Sequence, residues 1–205
     1  MSTRARLTVS KHAACAWLVM TGVGLQGCVP DLTSSGANAG PWEAPENQWP
    51  LREPPANLVG TGFAEGQVPP DFRLLDQHGD EVSLWQFYGS VVLLDVSTMW
   101  CGPCQEIAGH TEATYDSFKD DGFMYLTVLH EDVENRPPTT EDLEEWAAGF
   151  GISAPILADG DQATGAAVTQ GQYPAVIVIG RDMTIVDRPR SLDAATIDGA
   201  IEDAL

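Results

Sequence analysis

From position 91 to position 104 the chain reads Val-Val-Leu-Leu-Asp-Val-Ser-Thr-Met-Trp-Cys-Gly-Pro-Cys. A run of Val and Leu entered through Gly89-Ser90 has the character of a central strand covered on both faces. The helix expected next starts at Gly102 or Pro103 and runs to about Phe118, with Ile107, Thr111, Thr114, Tyr115 and Phe118 on one side. Cys101 and Cys104 therefore stand three positions apart where a buried strand turns into a helix. Two cysteines so spaced close a tight ring when oxidised, and the helix N-terminus favours the thiolate of the first. That is the chemistry of a dithiol that exchanges electrons with other disulfides.

The rest of the chain frames this junction. Asp71 to Leu75 and Glu81 to Leu84 alternate around the turn Gln77-His78-Gly79-Asp80 and read as a β-hairpin. Leu84 to Tyr88 is a short helical turn, and Phe123 to His130 is the strand after the first helix. Pro137 to Asp142 opens a second helix that carries Leu143, Trp146, Ala147 and Phe150 and closes at Gly149 to Gly151. A short strand at Pro155 to Leu157, an acidic turn at Asp159 to Asp161 and a short helix to about Val168 follow. Val176 to Ile179 and Thr184 to Asp187 flank a turn at Gly180 to Met183, and a last helix spans Leu192 to Leu205. The 205 residues suffice for one domain with appendages.

The N-terminus reads as an export signal. Arg4, Arg6 and Lys11 precede an apolar run from Ala13 to Leu25, too short at 13 residues for a bilayer, which needs about 20. Leu25-Gln26-Gly27-Cys28 closes it with small residues before a cysteine. Without the three signal cations, 7 Lys and Arg face 30 Asp and Glu, a formal charge of −23. So acidic a surface repels nucleic acid and anionic headgroups, which excludes a nucleic-acid partner and electrostatic membrane docking. From residue 28 to 66 the chain is rich in Pro, Gly, Ser, Ala and Asn and is expected to be a flexible tether, with Trp42, Trp49 and Phe63 docking on the domain. The domain proper is then 67–205, after a signal over 1–27. Cys15 and Cys28 belong to the N-terminal segment, so Cys101 with Cys104 is the bridge left to the folded part.

In its Trp-Cys-Gly-Pro-Cys pentapeptide, and in Pro70-Asp71-Phe72 about thirty residues before it, the chain resembles the TlpA/ResA-like thiol-disulfide oxidoreductases of the thioredoxin superfamily, over roughly Pro69 to Leu205. The resemblance implies an α/β thioredoxin fold: a mixed central sheet flanked by helices, with an N-terminal hairpin and an inserted helix and strand between Glu131 and Leu157. Leu-Gln-Gly-Cys resembles a bacterial lipobox, which implies cleavage before Cys28 and acylation of that residue. The protein is then exported and lipid-anchored in the cell envelope, facing the periplasm if there are two membranes. Family members reduce apocytochrome c or the cysteines of copper-oxidase subunits, so the implied partners are envelope protein thiols and disulfides, with a membrane thiol reductase as electron donor. No cofactor beyond the Cys101–Cys104 disulfide and no metal are expected.

Within that frame Cys101, exposed beside the helix N-terminus, is the attacking thiol, and Cys104, one turn in, resolves the mixed disulfide. Asp95, six residues before Cys101 in an apolar strand, is expensive to bury ionised; its pKa should rise, and it is placed to relay the proton of Cys104. Gln172-Tyr173-Pro174 resembles the cis-proline loop that faces the dithiol, which makes Tyr173, Pro174 and Trp100 the substrate-binding residues. Gly102 and Pro103 tune the redox poise. Tyr173 stands where many relatives carry Thr or Val, and Ser97 where they often carry an aromatic residue.

Two further assignments compete. His110 and His130 tempt a copper site on a thioredoxin frame, but His110 does not share the face of Cys104 and His130 ends a strand, where it is expected to face solvent. Thr98 stands three before Cys101 as in thiol peroxidases, yet Leu94 occupies the place of the proline that motif carries. A non-catalytic assembly module would not need both cysteines.

Overall fold

The computed structural model describes residues 41–205. Lipidation at Cys28, the signal over 1–27 and the first part of the expected tether lie outside the described residues. Seven strands form one mixed sheet: β1 (Arg73–Asp76), β2 (Glu81–Ser83), β3 (Val91–Ser97), β4 (Phe123–Leu129), β5 (Ile156–Ala158), β6 (Ala175–Ile179) and β7 (Ile185–Asp187), in the order β2-β1-β5-β4-β3-β6-β7. β3 and β4 pair in parallel, as do β4 and β5, and the remaining pairs are antiparallel. Three helices accompany it: α1 (Gly102–Phe118), α2 (Thr140–Phe150) and α3 (Ala194–Ala204). This is the expected thioredoxin fold with its N-terminal hairpin and inserted α2–β5 unit.

The centre of the sheet follows from the apolar runs. Every residue of β3, β4 and β6 is buried. Side chains alternate along a strand, so each run serves two cores. Val91 and Leu93 face Ile107 and Ala108 of α1, Leu143 and Trp146 of α2, and Ile197 and Ile201 of α3. Val92, Leu94 and Val96 face the other way, with Leu126, Val128, Ile177 and Ile179.

The ends of the helices are written in side chains. Thr139 accepts from the Asp142 N–H while the Asp142 carboxylate accepts the Thr139 N–H, a reciprocal cap that starts α2. Gly151 ends it at φ 70°, in the left-handed region that favours glycine. Asp193 caps α3, which therefore begins two residues later than Leu192. The short helix expected near Val168 is a pair of single 3-10 turns, Gly165–Ala167 and Thr169–Gly171.

All three helices pack in one core, so the opposite face must be covered by something else. It is covered largely by the chain before β3. Phe63 (7% exposed), Phe72, Leu84 and Phe87 fill the second core, and Trp49 and Leu58 pack at its margin. The expected tether over 28–66 is thus corrected for its described part: residues 41–66 lie against the domain. Their polar groups are also matched. Trp42 Nε1 donates to Ser83 Oγ at 3.1 Å and Trp49 Nε1 to Asp76 Oδ2 at 2.6 Å. The amides of Asn47 and Gln86 each donate to the other at 3.0 Å. Arg52 forms a parallel bridge with Phe87, and the Arg188 guanidinium holds the carbonyls of Phe63 and Ala167. Prolines in this segment remove donors that would otherwise need partners.

Candidate active site at the end of the central strands

The sheet ends where β3 and β4 stop and β6 begins. Val96 pairs with Ala175 and Ser97 with Leu129, so the segments just beyond, Thr98 to Cys101, His130 to Glu131, and Tyr173 to Pro174, share one end of the sheet. Backbone bonds tie them: the His130 N–H donates to Ser97 O and the Met99 N–H to Glu131 O, both at 3.0 Å.

Cys101 occupies the position before the first helical residue of α1, and its sulfur accepts the Cys104 N–H at 3.3 Å. The two sulfurs are joined as a disulfide, with the Cα atoms 5.2 Å apart. Gly102 and Pro103 form the first turn, where a proline costs no helical hydrogen bond. Cys104 is 1% exposed and Cys101 5%. Cys101, expected to be exposed, is thus a covered residue in its disulfide form. Its neighbour Trp100 is 44% exposed, donates from Nε1 to Glu131 Oε2 at 2.7 Å, and meets Tyr173 edge to face with ring centroids 6.1 Å apart. The Tyr173–Pro174 peptide bond is cis.

Asp95 is buried, as the apolar run around it requires. Removal from water drives its carboxyl up to about 7, against opposition from the hydroxyls of Ser97 and, to a smaller degree, Tyr125. The Ser97 hydroxyl donates to Asp95 Oδ1 at 2.6 Å. Asp95 is in phase with Val91 and Leu93 along β3, which puts it on the face that α1 covers.

His130 is where the sequence reading fails. It is 1% exposed, with Nδ1 2.8 Å from the Tyr173 hydroxyl and Nε2 2.7 Å from Thr164 Oγ1 and 3.2 Å from Asp159 Oδ2. The expected solvent-facing histidine is instead the hub of a buried network. Asp159, at the start of the acidic turn, accepts the N–H groups of Ala163 and Thr164 and the Thr164 hydroxyl. Burial raises its carboxyl, and the hydrogen bonds from His130, Thr164 and Ala163 outweigh that and hold it below the usual range. The sequence signal is that His130 continues the largely apolar run Phe123 to Leu129, at the level where the neighbouring strand ends in the site. His110 lies on the exposed side of α1, apart from this network. Among the described residues no group of three or more His, Cys, Asp and Glu side chains is disposed to hold a metal ion.

A disulfide at the strand-to-helix junction of a thioredoxin fold defines the class: a thiol-disulfide oxidoreductase of the thioredoxin type. The chain belongs to the AhpC/TSA family, whose model matches residues 66–188. Among curated proteins it is similar to the thiol-disulfide oxidoreductase ResA of Geobacillus kaustophilus, 29% identical over 122 residues that cover 60% of this chain and 67% of that protein. It is also similar to the thioredoxin-like protein YneN of Bacillus subtilis, 26% identical over 126 residues, 62% of this chain and 71% of the relative. Among solved structures, the thioredoxin domain of a thiol-disulfide oxidoreductase from Bacteroides vulgatus superposes with a TM-score of 0.57 at 23% identity, over 68% of this chain and 96% of that one. A DsbE-like thiol:disulfide interchange protein from Chlorobium tepidum gives 0.55 at 24%, over 68% and 99%. These two likenesses carry the fold.

Proposed function

We propose that this protein is an exported, lipid-anchored reductant of disulfides in other polypeptides of the cell envelope, working through Cys101 and Cys104. The observation that carries this reading is the disulfide between a helix-capping sulfur and a sulfur one turn inside the helix.

In the reduced protein the Cys101 thiolate attacks one sulfur of the substrate disulfide, forming a mixed disulfide and releasing one substrate thiolate, which takes a proton from solvent. Cys104 then gives up its proton and attacks Cys101 Sγ. The second substrate thiolate leaves, and two electrons have passed from the pair to the substrate. Asp95, with a carboxyl near 7 on the helix-covered face of β3, is the base assigned to the Cys104 proton. Trp100, Tyr173 and Pro174 form the surface that meets the substrate, and Gly102 and Pro103 fix the geometry of the ring. The electrons travel on the cysteines themselves, and a membrane thiol reductase restores them.

Export and anchoring rest on the charged start, the apolar run and Leu-Gln-Gly-Cys28. Labelling with a fatty-acid analogue, lost in Cys28→Ser, tests the anchor. Among the described residues no helix is long and apolar enough to cross a membrane.

The deciding experiment is the reduction potential of the pair, read by alkylation after equilibration with dithiothreitol or glutathione. A value near the thioredoxin range of about −270 mV supports the reductant, and one near about −120 mV makes the protein an oxidant. Rapid consumption of peroxide without reduction of a model disulfide would replace both by a peroxidase.

A further inference from the structure

The hydrogens of the His130 network can be placed by counting donors. The Thr164 hydroxyl has one hydrogen and donates it to Asp159 Oδ2 at 2.7 Å. Its oxygen is then an acceptor for the ring nitrogen 2.7 Å away, so Nε2 carries the hydrogen, and Asp159 Oδ2 at 3.2 Å reinforces that choice. In neutral imidazole Nδ1 is left as the acceptor, and the Tyr173 hydroxyl donates to it at 2.8 Å. The one phenolic hydrogen is therefore turned inward. What Tyr173 offers on its other side is an oxygen with lone pairs only.

The ring itself has little freedom. It stands edge-on to His130, with centroids 5.5 Å apart, and edge-on to Trp100, whose own indole is fixed by Glu131. Trp100 is the residue before Cys101. A half-buried tyrosine is thus locked, by a histidine that faces inward, at the rim of the dithiol.

We propose that His130, backed by Asp159 and Thr164, is a positioning residue that holds the Tyr173 hydroxyl as a hydrogen-bond acceptor for backbone N–H groups of the substrate, and so favours disulfides carried on polypeptides over small disulfides. The inference rests on the oxidoreductase reading of Cys101 and Cys104. A small aromatic disulfide has no N–H to offer and gains nothing from the acceptor. An extended polypeptide presents one such donor per residue.

The test uses the full chain, reduced beforehand and mixed with insulin as the polypeptide disulfide or with dithiobis(nitrobenzoate) as the small one. In His130→Leu the half-saturating insulin concentration is expected to rise about tenfold with the limiting rate changed less than about twofold, while His130→Gln, which keeps an acceptor and a donor, stays within about threefold of the parent. Tyr173→Phe reproduces the His130→Leu effect, and the double variant is no worse than Tyr173→Phe alone. An equal loss toward both substrates overturns the proposal, as do losses that multiply in the double variant. Should His130→Leu fail to fold, Tyr173→Phe decides, because an unchanged half-saturation in that variant overturns the proposal by itself. If the parent chain reduces neither disulfide, the oxidoreductase reading falls and takes this inference with it.

Discussion

Ser97 Oγ donates to Asp95 Oδ1 at 2.6 Å, from two positions further along the same face of β3. The larger of the two hydroxyl contributions to this buried acid thus comes from its own strand, with Tyr125 supplying the smaller one. These hydroxyls do not offset the loss of water, and the carboxyl stays near 7 against an ordinary 3.8.

The pH dependence of stability follows from that shift. Between about pH 4 and pH 7 the folded chain holds a proton that the unfolded chain has lost, so stability falls as pH rises through this window and levels off above it. Asp95→Asn removes this contribution to the slope. The variant should exceed the parent by up to about 4 kcal/mol at pH 8.5 and by about 2 kcal/mol at pH 5, in urea unfolding of the oxidised proteins. Equal stabilities at pH 8.5 would show that Asp95 is ionised at little cost.

Asp159 is predicted to behave in the opposite sense. Its carboxyl is held below 3.8 in the folded chain, so its contribution is complete above the unfolded value and is lost as pH falls through the folded one. Asp159→Asn should cost about 2 kcal/mol at pH 7, and the gap to the parent should close progressively below about pH 4. A gap that is independent of pH would mean that the loss is one of shape and not of charge.

For the cysteines the expected outcomes differ by residue. Cys101→Ser abolishes disulfide reduction, falling by about a thousandfold or more, because no thiolate is left to attack. Cys104→Ser still attacks but cannot resolve, and accumulates a mixed disulfide with substrate that non-reducing electrophoresis reveals and dithiothreitol releases. Trapping by Cys101→Ser instead would reverse the assignment of the two roles.

The segment before the hairpin is expected to bear on stability. Phe63→Ala should cost about 3 kcal/mol and Trp49→Ala about 2 kcal/mol in urea unfolding, the second by losing both an apolar contact and the bond to Asp76. A free tether would register neither change.

The sequence makes the centre of this molecule legible and its periphery less so, for a physical reason. β3, α1 and the dithiol between them are set by contiguous residues: an apolar run, a proline in a first helical turn, two cysteines at fixed spacing. Asp95 is legible for the same reason, since its burial follows from its immediate neighbours. His130, Asp159, Thr164 and Tyr173 meet only because β4 lies in register between β3 and β5 and because Tyr173 follows a long excursion back to β6. No local spacing records that meeting. Trp49 and Phe63 sit in proline-rich chain without periodicity, so their aromatic character announces burial, while their partners Asp76 and Arg188 are known only from the folded chain.

The part of the chain that defines the family and the part that folds are not the same. The family match over 66–188 omits α3, which supplies Ile197 and Ile201 to one side of the sheet, and most of the segment 41–66, which supplies Phe63 to the other. A protein trimmed to the shared segment would uncover part of both apolar faces at once, and self-association would be its cheapest remedy. The segment that matches the family carries the reactive centre and its scaffold, while part of what shields that scaffold from water lies outside the matched range.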